Sequence, residues 1–287
     1  MIDRELLITG YLDRFSHRPG ETFSAYVSAR EGGTCRVKLV RVLSGDPNPK
    51  GPGLRFLDVS SIFDREFPGR RQEIHLGSHG IVDHGPTRPR DAACTWTLLC
   101  CPTLAEQTSA VFVEQRDDRH IVVGVGSGGA TAQLKWPNGS AQLETGQPLL
   151  RHRWYRLWLS ADPASGRVVL GQSLLDWPDK AHATAIARGI ELPDASVVMF
   201  AARNANGPHA HFNGKLEAPA ILAGFIETWS DVLSTPPQAK VVAAWDFSQK
   251  VSSLTLIDTG EQRCHGRLVN LPMRGVVGAR WSGRHMR

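Results

Sequence analysis

Three groupings of residues in this chain have types and spacings that could do chemistry. The first is Gly124-Val125-Gly126-Ser127-Gly128-Gly129, which satisfies the G-x-G-x-x-G spacing of dinucleotide-binding turns. That chemistry requires a helix to begin at the glycines, so that its N-terminus meets a pyrophosphate. Here residues 130–134 are a short apolar run, and Trp136-Pro137-Asn138-Gly139 breaks the chain at once. A glycine-rich turn between two strands is the expectation. The second grouping is histidine: His75, His79 and His84 fall close together, and His209 and His211 alternate beside Phe212. A metal site wants three or four converging ligands. Strand rise would hold His75 and His79 over ~13 Å apart, and His209 and His211 about 7 Å apart with no third partner. Surface or interdomain histidines are expected, and no metal ligand is assigned. The third grouping is the cysteines at 35, 94, 100, 101 and 264, which contain no C-x-x-C and read as small buried apolar side chains.

Other catalytic signatures are missing. No G-x-S-x-G elbow and no H-E-x-x-H occurs. Asn138-Gly139-Ser140 has the form of a glycosylation sequon only. No catalytic and no cofactor-binding residue is assigned. Two tryptophans, Trp136 and Trp177, lie in proline-flanked, loop-like settings and are candidates for stacking on a ligand such as a sugar ring. The competing expectation is that each packs on an edge of the fold.

Composition narrows the class. At 287 residues, with 41% hydrophobic and 21% charged residues, the chain can bury a substantial core and is not a disordered polymer. Its net charge of +5 is spread over Arg70-Arg71, Arg88, Arg90, Arg151, Arg153, Arg284 and Arg287. A nucleic-acid surface would cluster that charge with aromatics, so no nucleic-acid partner is expected. No apolar run approaches a membrane span, and the N-terminus lacks a signal-peptide pattern. An odd number of scattered cysteines suits a reducing compartment, so the expected location is cytoplasmic.

The elements that would position any site read as strands. Residues 6–12, 22–28 and 36–43 alternate apolar and polar, the last with a phase switch that predicts a bulge. Residues 44–53, with three prolines and three glycines, must be a loop. Further strands are expected at 73–82, 94–101, 110–116, 120–125, 133–134, 155–161, 167–172, 196–202 and 212–222. Asp162-Pro163-Ala164-Ser165-Gly166 is a hairpin connection. Residues 240–247 alternate apolar side chains onto both faces, as a strand covered on both sides would. One helix is expected, at 223–233, where Phe225, Trp229 and Val232/Leu233 recur at helical spacing. The division expected is 1–67, an N-terminal β-rich segment; 68–236, a sandwich; and 237–287, a β-segment that pairs with 1–67.

These segments carry a resemblance. Trp154-Tyr155-Arg156-Leu157 through Gly166-Arg167-Val168, with Phe212-Asn213-Gly214-Lys215-Leu216-Glu217, resembles the mid-sandwich and late strands of laminin-G-like, concanavalin-A-type jelly rolls. More particular are Thr9-Gly10-Tyr11-Leu12-Asp13-Arg14, Arg18-Pro19-Gly20-Glu21, Gly45-Asp46-Pro47-Asn48-Pro49, Pro68-Gly69-Arg70 and Gly77-Ser78. With Trp245-Asp246-Phe247-Ser248, His265-Gly266-Arg267 and Asn270-Leu271-Pro272, they resemble the large (beta) subunit of N,N-dimethylformamidase over nearly the whole chain.

The resemblance implies an all-β concanavalin A/laminin-G-like jelly-roll sandwich with an additional small β-rich unit made by the chain ends. It also implies a further α/β region, carrying the family's iron site for amide hydrolysis, that this chain does not reach. The expected function is therefore non-catalytic: assembly, or shaping access to a downstream site. The expected partners are the chain's own downstream catalytic region or a small subunit, with self-association as a further possibility. No cofactor is expected in the chain. The rival functions are a free-standing lectin-like module and an amidohydrolase acting on small formamides. Apolar surface near Val276, Val277 and Trp281 is expected to be exposed.

Overall fold

The structure is a computed structural model and describes residues 6–48, 50–72, 77–204, 207–236 and 239–281. It has two compact units, Met1–His75 and Leu76–Arg287. The smaller unit is built of three antiparallel pairs. Strand β1 (Ile8–Leu12) pairs with β2 (Ala25–Ala29), β3 (Thr34–Lys38) with β6 (Asp64–Pro68), and β4 (Val40–Gly45) with β5 (Leu54–Asp58). The phase switch at 36–43 is a break at Leu39 between two strands with different partners, and a bulge follows between Val42 and Ser44. Most large apolar side chains of this unit are exposed, among them Phe15, Val42, Leu43, Phe56 and Ile62.

The larger unit is one fourteen-stranded antiparallel sheet folded over on itself. Its elements in chain order are β7 (His79–Val82), β8 (Cys94–Pro102), β9 (Ser109–Arg116), β10 (Arg119–Gly126), β11 (Gly129–Trp136), β12 (Gly139–Glu144), β13 (Tyr155–Asp162), β14 (Arg167–Leu174), β15 (Lys180–Ile186) and β16 (Val197–Phe200). Then come the short β17 (Arg203–Asn204) and β18 (Pro208–His209), which pair only with each other, followed by β19 (Gly214–Ala223), β20 (Lys240–Asp246), β21 (Thr255–Asp258) and β22 (Gly266–Val269). The order across the sheet is β12-β11-β10-β9-β16-β7-β22-β21-β20-β19-β8-β13-β14-β15. The sheet turns between β21 and β20, so its two halves enclose one core.

Alternation along each strand decides what enters that core. Trp96, Leu98 and Cys100 of β8, with Leu159, Leu157 and Tyr155 beside them on β13, share this core with Phe112 of β9. Phe112, Phe200 and Trp245 meet edge to face, with centroids 5.1 Å apart for Phe112–Phe200 and for Phe200–Trp245, the geometry that ring quadrupoles favour. Among the strands the sequence pattern missed, β12 and β15 lie at the sheet's ends and alternate exposed with half-buried residues. Their small and polar side chains give a weak apolar signal.

Two expectations are corrected. Every strand described in 237–287 pairs within the larger unit, where pairing with 1–67 was expected: β20 with β19, β21 with β20 and β22, and β22 with β7. The reason is burial, because Ala243, Trp245, Leu256 and Ile257 find their cover in the sandwich core and the adjoining strands. Residues 223–233 are not helical. Gly224 sits at φ +99, outside helical backbone. Beyond it the chain runs across the outer face of β8 and β13, whose polar side chains satisfy its backbone. Thr95 Oγ1 donates to the Gly224 carbonyl (2.8 Å), Ser160 Oγ to Ile226 (2.7 Å), Arg156 Nε to Val232 (2.9 Å) and Lys180 Nζ to Trp229 (3.0 Å). Trp229 is buried beside Trp158, at 6.0 Å between centroids, and lies beneath the Arg156 guanidinium. Burial pulls Arg156 down to about 10, which leaves it a cation at neutral pH.

One buried ion pair crosses the fold. Glu114 of β9 is fully buried and receives both guanidinium nitrogens of Arg88 at 2.8 Å, the Trp96 indole N–H at 2.6 Å and the Ser196 hydroxyl at 2.5 Å. Burial works to lower the Arg88 pKa, and the Glu114 charge overcomes it, so the net shift is upward. Replacing Glu114 by Ala strands a buried cation and two donors together. Loss of about 3–5 kcal/mol of unfolding free energy is expected, as for other broken buried pairs, read by urea denaturation. A midpoint within error of the parent would refute this role for the pair.

Candidate functional site

The glycine run lies where the turn was expected. Gly126 pairs with Gly129 at the β10–β11 hairpin, and no helix follows. A Cβ on Gly128 would fall 2.2 Å from a carboxylate oxygen of the exposed Glu144, a flexible side-chain end that can swing aside.

The cysteines are thiols in apolar surroundings. Cys94 and Cys100 are in the core and Cys101 is buried on the opposite face of β8. Burial pushes the Cys94 thiol up to about 12 and raises Cys100 as well, so neither is a ready nucleophile.

The candidate stacking residues part company. Trp136 is 5% exposed and belongs to the core, with Gly139 directly against its ring. Its faces are therefore taken by protein, which corrects the expectation of a platform there. Trp177 is 70% exposed, in the loop between β14 and β15. Among the histidines, His84 is exposed, and His75 lies outside the described residues. His79 and His211, which strand spacing gave no reason to associate, come together with ring centroids 5.8 Å apart. Among the described residues no group of three or more His, Cys, Asp or Glu side chains is placed to hold a metal ion.

The most developed surface feature is the segment after β22. It is strapped to the sandwich by charged groups that bond backbone. Arg274 donates to the carbonyls of Phe247, Gln249, Lys250, Ser253 and Thr255, at 2.7 to 3.3 Å. Lys215 Nζ holds the Val277 carbonyl at 3.2 Å, and Glu217 Oε2 accepts from Ala279 N–H at 2.7 Å. Arg280 reaches the Leu233 carbonyl at 3.2 Å. Ala279 is thereby buried.

The strap faces solvent with apolar side chains. Met273, Val276, Val277 and Trp281 are exposed, as are Val251 and Leu254 on the loop that Arg274 grips. Five bonds from one guanidinium fix 247–255 against 274, so Val251, Leu254 and Met273 share a neighbourhood. Sequence reasoning reached Val276, Val277 and Trp281 and missed the loop, because only the arginine cage reveals that the two segments adjoin.

Two half-sheets enclosing one core, with the chain's late strands closing the turn between them, define an all-β antiparallel sandwich. A putative carbohydrate-binding protein from Bacteroides ovatus is 12% identical with a TM-score of 0.48, over 77% of this chain and 69% of that one. The LG1-3 region of the laminin alpha2 chain is 12% identical with a TM-score of 0.41, over 62% of this chain and 38% of that one. No family model matches the chain.

The particular resemblance read from the sequence is borne out. The chain is 28% identical to the N,N-dimethylformamidase beta subunit of an Alcaligenes species over 98% of its length, and 26% identical to that of Paracoccus aminophilus over 96%. It spans 41% of the length of each of these curated relatives. Among the described residues no helix is long and apolar enough to cross a membrane.

The exposed strap has a measurable consequence. Replacing Val277 and Trp281 together by Ser should lower the tendency of the chain to self-associate, read as a shift toward the monomer in sedimentation velocity. An associating parent whose double variant sediments identically would show that this surface is not the contact.

Proposed function

We propose that this chain is a non-catalytic sandwich region of a dimethylformamidase-like beta subunit, serving assembly and access to a site carried elsewhere. The observation that carries the reading is the apolar strap. Charged side chains hold its backbone in one place while Met273, Val276, Val277 and Trp281 point outward. A contiguous apolar face of that kind marks a contact surface in a soluble protein. Partners of the stated classes, a downstream catalytic region or a small subunit, would bury it. The similarity over nearly the whole chain to proteins named as beta subunits supports the same reading.

Hydrolysis of an amide needs an activated nucleophile, a general base or a metal-held water. The buried thiols, the strapped arginines and the hairpin glycines supply none of these. Incubation of the purified chain with N,N-dimethylformamide is therefore expected to release no dimethylamine above the blank. Release that scales with the chain's concentration would overturn the proposal and favour the formamide hydrolase.

A second reading rests on Trp177, whose 70% exposure leaves a ring free for stacking. In a lectin-like module it would stack on a sugar face. Titration with neutral oligosaccharides should then change the tryptophan fluorescence of the parent and not of Trp177→Ala. An unresponsive parent ends that reading.

A further inference from the structure

The geometry points to a binding site for a divalent transition-metal cation of the zinc class between His79 and His211, with two imidazoles as its protein ligands. His79 opens β7, and His211 follows the small β17–β18 hairpin. Two separate contacts bring them together. Ala110 of β9 bridges to His211 in parallel register and donates its N–H to the Ala210 carbonyl at 2.8 Å, which fixes the His211 backbone. His79 is fixed by its pairing with Val269 of β22. Alternation sets His79 on the face of Ile81, which packs against Ala110, Val113, Val122, Met199 and Ala202. The pair therefore sits on the outer face of the sheet, away from the main core.

The polar groups of this pair are unsatisfied. His79 is 4% exposed, and its Nδ1 has no hydrogen-bond partner; neither ring nitrogen of His211 has one, and all three atoms are out of reach of solvent. Buried imidazole nitrogens are ordinarily bonded, and leaving one unpaired costs about 1–3 kcal/mol. Three such atoms on two adjacent rings imply a group between them. The spacing suits a metal ion: two imidazoles bound to one ion at about 2.0–2.1 Å place their ring centroids about 5–6 Å apart, and the observed separation is 5.8 Å. Imidazole is a ligand that zinc, copper and nickel share.

Gly77 shapes the cradle: a Cβ there would lie 2.3 Å from Cγ of His211, so only glycine leaves the ring its place. Its φ of +96 is also a conformation that side chains disfavour. Two protein ligands leave the remaining coordination positions to water or to a partner group, so micromolar affinity is expected.

The test uses the whole chain stripped with EDTA and titrated with zinc chloride against a chromogenic chelator. One zinc per chain is expected, with affinity at least tenfold weaker in His79→Gln and in His211→Gln and unchanged in His84→Gln. Gly77→Ala should weaken binding while removing no ligand. Should a variant fold poorly, the parent alone decides by NMR: zinc should shift the ring signals of His79 and His211 ahead of those of the other histidines. Absence of a stoichiometric zinc, affinity unchanged from the parent in both glutamine variants, or first shifts at other histidines would each overturn the site.

Discussion

A carboxylate with no access to water constrains the whole sandwich. Glu114 lies on β9 in one half of the folded sheet, and its indole partner, Trp96, lies on β8 in the other. The remaining donors come from loops, Arg88 before β8 and Ser196 before β16. The two loops are themselves tied, by Gly85 N–H to the Ser196 carbonyl and by Arg88 N–H to Asp194. A buried charge tolerates little displacement, since each lost donor leaves desolvation uncompensated. The pair therefore fixes how the two half-sheets meet at this end, while apolar packing alone would accept several registers.

The adjoining turn, whose Gln262 bonds the Thr87 backbone beside Arg88, is closed by a second carboxylate. Asp258, fully buried at the end of β21, accepts from the N–H groups of Ala244, Gly260 and Cys264 at 2.8 to 2.9 Å. These bonds hold the turn after β21 against β20, where the sheet passes from one half to the other. Trp245 fills the core at the same place and sends its indole N–H to the Cys264 carbonyl at 2.8 Å. The last strands are thus structural members of the sandwich, and the segment that follows is drawn over its surface by Arg274, Lys215 and Glu217. Exposed apolar surface, at Met273, Val276, Val277 and Trp281, is made where closure of the fold ends.

On the outer face of β8 and β13 the same logic replaces a helix with a loop. Both faces of these strands carry large or polar side chains that need cover, Trp158 and Arg156 among them. Residues 224–234 supply it by lying flat and surrendering their carbonyls to Thr95, Arg156, Ser160 and Lys180. A helix would have consumed those carbonyls internally and denied them to the four side chains.

The sequence by itself determined the all-β class, most of the strands of the sandwich and the hairpin nature of the glycine run. Period-two alternation and proline–glycine punctuation are local properties, written within a few residues. It also carried the burial of the cysteines and the exposure of Val276, Val277 and Trp281. It misjudged 223–233 because apolar spacing at i and i+4 is common to a helix and to a loop pinned at Trp229, and only the sheet beneath distinguishes them. It paired 237–287 with the wrong unit because alternation shows that a strand needs cover without naming the neighbour. The tertiary structure alone decided that Trp136 is core while Trp177 is free, that Arg274 joins two distant segments, and that His79 meets His211. Those are long-range juxtapositions, set by sheet order and loop closure, and no spacing along the chain encodes them.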